Sequence, residues 1–114
     1  MSAWQKLVSL KARSIIRGAV FRFPAKWPYE GMVDLLVLRL PGDTTLHSLI
    51  VTSGHKAGHL LVRLPIEAEL PGVNALSRQW IVDNWAKWIY PECDVREVLY
   101  AKHYAVPRRP KDAL

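Results

Sequence analysis

Residues 74–90, NALSRQWIVDNWAKWIY, decide the fold, because they form the one stretch of the chain with sustained helical periodicity. Leu76, Ile81, Trp85, Trp88 and Ile89 recur at spacings of three to five. At about 100° per residue, Ile81, Trp85, Trp88 and Ile89 share one face, which must be buried. Gln79, Asp83 and Lys87 fall on the opposite side, with Asp83 four residues ahead of Lys87 in the order that favours an exposed helical ion pair. Pro71 and Gly72 precede the stretch, Asn74 or Ser77 can supply the capping oxygen, and Pro91 cannot extend it. A helix over residues 75–90 is therefore expected, apolar face inward. Trp80 stands about 140° from Trp85 on the wheel. It is either a flank of the core or an exposed anchor for a partner.

Outward from this helix the chain reads as sheet. Residues 18–23 (GAVFRF) alternate in the manner of a half-buried strand and stop at Pro24. Residues 33–40 (VDLLVLRL) form a near-continuous aliphatic run suited to the centre of a sheet. Turn chemistry at Pro41, Gly42 and Asp43 returns the chain as residues 46–52, and a second glycine turn leads into residues 59–64. Residues 95–104 read as a last strand. Residues 3–12 fit helix and strand equally, and a short helix or irregular arm is expected there. The sum is an α+β domain spanning residues 1–106, an antiparallel sheet of about five strands with one helix on one face, followed by a flexible basic tail at 107–114.

A chain of 114 residues, half of them hydrophobic and 23% charged, has the profile of one folded domain with a real core. Its formal charge of +6 and pI near 9.8 favour acidic partners. Cys93 is the single cysteine, so no intramolecular disulfide forms, which suits a reducing cytoplasm. The first residues lack the apolar core of a signal peptide, and nowhere do eighteen apolar residues run together. A cytoplasmic protein without a membrane span is expected.

Catalytic and cofactor chemistry finds no convergent set. His55 and His59 would sit about 13 Å apart on extended chain, too far for one metal, and no third ligand stands at metal spacing. The SGHKAG turn lacks the spacing and following helix of a phosphate-binding loop. Cys93 lies between Glu92 and Asp94, which disfavour a reactive thiolate. Glu67 and Glu69 read as a solvated pair with no histidine beside them. No enzyme activity, metal, cofactor or small-molecule substrate is expected. The arginines are scattered singly, apart from the Arg108, Arg109 and Lys111 tail cluster, so nucleic acid rests on composition alone.

Four stretches carry a resemblance: RGAVFRFPAKWPYEGMVDLL (17–36), LIVTSGHKAG (49–58), ALSRQWIVDNWAKWIYPECDV (75–95) and the closing strand before Tyr104. With their WPYEG, SG-x-KAG and NW-x-KW-x-YP pieces, they resemble bacterial immunity proteins, specifically the Immunity protein 45 family, over about residues 7–106. The resemblance implies a protein encoded beside a secreted toxin of a polymorphic or type VI system. It would protect the producing cell by binding that toxin, with recognition and no catalysis as its activity. The resemblance designates no residues. On physical grounds Trp27, Tyr29 and Glu30 of the aromatic loop, Lys56 of the glycine turn and Trp80 form the expected toxin-facing set, aromatics supplying anchor area and the charges setting register. A net +6 points to an acidic toxin surface or a toxin that is not a nuclease. The alternative is a small basic nucleic-acid-binding protein.

Overall fold

Eight short strands and one helix are found in the computed structural model, which describes residues 4–25, 31–42 and 45–104. The strands are β1 (Gln5–Lys6), β2 (Ser14–Ile15), β3 (Val20–Pro24), β4 (Met32–Leu38), β5 (Ser48–Val51), β6 (Leu60–Arg63), β7 (Leu76–Ser77) and β8 (Leu99–Ala101). Six of them make one antiparallel sheet in the order β1-β8-β3-β4-β5-β6, while β2 and β7 pair separately. The fold is thus α+β, as expected, with a sixth strand in the main sheet. That strand, β1, comes from the segment read as a short helix or irregular arm. Gln5 pairs with Tyr100 and Lys6 with Leu99, then Leu7–Ser9 makes a 3₁₀ turn. Two residues are too few to display a period of two. The expected tail at 107–114 lies outside the described residues, and no helix among the described residues is long and apolar enough to cross a membrane.

Ser77, not Asn74, caps the helix: its hydroxyl accepts the Trp80 N–H at 3.1 Å. Leu76 just before it pairs with Ile15 in β7, so the helix starts at Arg78 as α1 (Arg78–Asn84). From Trp85 to Ile89 it widens into a π-turn, closed by the Tyr90 N–H on the Trp85 carbonyl at 3.0 Å. This corrects the placement of Trp88, which the wheel assigns to the buried stripe and which is 37% exposed. An i→i+5 turn advances each residue by about 80° instead of 100°. Three such steps from Trp85 swing Trp88 about 60° toward the Trp80 side, and the fourth brings Ile89 back to the core. Trp88 accordingly lies against Trp80, ring centroids 5.8 Å apart.

The helix covers one face of the sheet. Trp85, 1% exposed, stands edge-on to Phe21 at 5.7 Å and to Phe23 at 5.3 Å. Leu35, Val37, Leu49 and Ile81 close around these rings, each buried aliphatic side chain contributing about 1.5–3 kcal/mol. Alternation along the strands then dictates the other face. One row across it runs Lys6, Leu99, Arg22, Asp34 and the next runs Ala101, Val20, Leu36, Ile50, Leu60. On this face Val20 and Ala101 are buried, while Leu60 is exposed.

Candidate functional site

The hairpin turns after β3 and β5 emerge at the same end of the sheet, because Phe23 pairs with Val33 and Leu35 with Val51. The first turn is the aromatic loop. Its base is closed by the Ala25 N–H on the Gly31 carbonyl at 3.2 Å, while Trp27, Tyr29 and Glu30 lie outside the described residues. The second is the glycine turn, where Gly54 and Gly58 take positive φ values of 70° and 94° that a side chain would strain. It presents Lys56 on an exposed tip.

Between these turns, on the helix side, lies a slot of about 170 Å³. Phe23, Val33, Leu35 and Val51 form its apolar floor, Tyr90 from the end of the π-turn one wall, and Ala25, Lys56 and Glu92 its surroundings. Lys56 and Ala25 at the base of the aromatic loop therefore line the same slot. Trp80 is not among the residues around the slot. It is half buried, packed on the core and on Trp88 along the helix flank.

On the outer face, directly behind the same end, stands a polar network that the sequence reading missed. Arg22 grips Asp34 with two parallel bonds, Nε to Oδ1 at 2.7 Å and Nη2 to Oδ2 at 2.9 Å. The Tyr104 hydroxyl donates to Asp34 Oδ2 at 2.8 Å and meets the Thr52 hydroxyl at 2.6 Å. The Asp34 amide donates to Ser53 Oγ at 2.9 Å, tying the glycine turn to β4. Trp4 lies over the Arg22 guanidinium, 4.0 Å from ring centroid to Cζ, a cation–π contact. Burial alone would raise the Asp34 carboxyl, but the bonds from Arg22 and Tyr104 and the Arg22 charge outweigh it and hold the carboxyl below its ordinary value. Burial, with the adjacent carboxylate, raises the Tyr104 phenol, which stays protonated and able to donate. The only signal in the sequence was two opposite charges interrupting apolar strands.

A second missed pair corrects the reading of Glu67 and Glu69 as solvated partners. Glu67 is exposed on a 3₁₀ turn (Ile66–Ala68), whereas Glu69 accepts from the His47 amide at 3.0 Å and lies 2.9 Å from its Nδ1. His47 is fully buried. The pair pins the start of β5 to the crossover before β7. Cys93 is buried, its thiol pushed up by burial and then by Glu97 and Asp94. No group of three or more metal-ligating side chains occurs among the described residues.

A paired, hydrogen-bonded set of this kind holds the strands and the turn in place. The family model of Immunity protein 45 matches residues 7–100. The chain belongs to the Immunity protein 45 family. The match takes in both hairpin turns, the helix and most of β8, so the slot and the Arg22 and Asp34 pair lie within the Immunity protein 45 region, while Trp4 and Tyr104 fall outside it. No curated protein and no solved structure matches the chain.

Proposed function

We propose that this Immunity protein 45 chain binds and neutralises a cognate secreted toxin inside the cell that makes it, by recognition without catalysis. The family match over residues 7–100 carries this reading. The geometry supports it. A rigid antiparallel sheet holds two turns side by side, so little ordering entropy is lost when a partner docks on them. Lys56 at the rim of an apolar slot supplies a charge that sets register beside area that can be desolvated. Trp27, Tyr29 and Glu30 belong to the proposed toxin-facing set on the strength of the sequence, and Trp80, with Trp88 beside it, offers aromatic area on the helix flank.

The protein would act in the cytoplasm of a bacterium that deploys a polymorphic or type VI toxin. The test is protection: the toxin domain encoded beside this gene is induced in a sensitive host with and without this chain. Restored growth with the intact chain, and loss of protection when Trp80 is replaced by Ala in a chain that still folds, is the expected outcome. Unchanged killing in the presence of abundant folded protein would overturn the reading.

A further inference from the structure

We propose that the slot between the two turns takes one uncharged aromatic side chain of the partner, a tyrosine ring, as the anchor of the complex; this rests on the toxin-binding reading above. Size comes first. At about 170 Å³ the slot falls short of the roughly 300–1,000 Å³ of small-molecule sites, whereas an apolar cavity of about 150 Å³ is enough to hold benzene. A single ring is what it can hold. The lining is of the matching kind: Phe23 and Leu35 lie buried beneath, Val33 and Tyr90 are half-buried, and Leu61 is 40% exposed. Lys56 and Glu92 stand around the slot, one charge of each sign. An ion entering between them gains from one and loses to the other, so a neutral group is favoured.

Tyr90 selects the phenol. Its amide closes the π-turn on the Trp85 carbonyl at 3.0 Å and its ring packs on Phe23 with centroids 4.9 Å apart, so its place is fixed from two sides. Its hydroxyl oxygen is buried and meets no hydrogen-bond partner among the described residues. Leaving a buried hydroxyl unmet is costly, and an incoming ring with a hydroxyl of its own relieves that cost. Phenylalanine brings the ring without the bond, and an aliphatic side chain brings neither. Tyrosine also supplies a large contact area for two rotatable bonds and is a residue type in which binding energy concentrates. The opposite side of the slot is equally firm, because Ser53 accepts the Asp34 amide at 2.9 Å and so is tied to β4. A slot that is already formed loses little freedom when the ring enters.

The test has two arms, both on the purified full chain. In the first, p-cresol and toluene, which reproduce the side chains of tyrosine and phenylalanine, are titrated while the methyl NMR signals of Val33, Val51 and Leu61 are followed. p-Cresol is expected to shift these signals and to bind at least about threefold more tightly than toluene, and Tyr90→Phe to abolish that preference. In the second arm, calorimetry measures binding of an inactive form of the toxin domain encoded beside the gene. Leu61→Glu, which puts a carboxylate on an exposed residue of the slot, is expected to weaken binding at least about tenfold, and Tyr90→Phe about threefold. Ile66→Asp, on an exposed residue of the 3₁₀ turn outside the slot, should change nothing, and all three variants should melt like the parent. No methyl shift with either ring would overturn the slot whatever the toxin does. Equal binding of p-cresol and toluene would overturn the phenol. Tight toxin binding that Leu61→Glu leaves intact would overturn the slot as docking point and leave the toxin reading standing. A parent chain that binds p-cresol and ignores the toxin domain would sink the toxin reading, and the partner's place in the slot with it.

Discussion

Asp34 and Arg22 show how one pair can serve fold and surface together. Removing the guanidinium leaves a carboxylate that is 5% exposed and keeps only the Tyr104 bond, so Arg22→Ala should cost about 2 kcal/mol, read from the urea midpoint. Arg22→Lys keeps the charge and loses the fork, and should cost less. The sign with pH follows from the lowered Asp34 carboxyl. A depressed carboxylate adds stability that is complete above about pH 4, its unfolded value, and lost as pH falls through the lower folded value. An Asp34→Asn chain should therefore show a shallower loss of stability below about pH 4 than the parent. Equal slopes would mean the pair has no such role. Neither residue announces its partner in the sequence, since a period of two reveals which side a residue takes and not which strand lies next to it. The Glu69 and His47 pair was hidden for the same reason across 22 residues.

At the scale of the element, the helix was legible from its apolar spacing and its flanking prolines, and the central strands from their aliphatic runs. The π-turn was not. A window of Ile81, Trp85, Trp88 and Ile89 fits a regular helix, and one widened turn changes the direction of Trp88 without changing the pattern. The two tryptophans should part in their energetics. Trp85→Ala, which empties the space between Phe21 and Phe23, should cost about 3–5 kcal/mol. Trp88→Ala should cost well under half of that by the same denaturation measurement, because its ring is partly solvated. Comparable losses would place Trp88 in the core and remove the widened turn. Ser77→Ala, which strips the cap from Trp80, should cost about 1 kcal/mol.

For the whole molecule, the α+β class and the family were legible, because layer architecture follows from element order and the motif pieces are local. The sidedness of the sheet was not, since it depends on which face the helix chooses. That choice turns the Arg22 and Asp34 pair and the exposed Met32 and Leu60 to the outer side, behind the same end that carries Lys56 and the base of the aromatic loop.

The most direct measurement is a pull-down of the tagged chain from the bacterium that encodes it, with bound proteins identified by mass spectrometry and a nuclease-treated lysate run in parallel. A single toxin-domain protein, bound one to one and retained after nuclease treatment, is the expected result. Recovery of nucleic acid or ribosomal material alone, vanishing on treatment, would contradict the claim that this Immunity protein 45 chain works by neutralising a toxin.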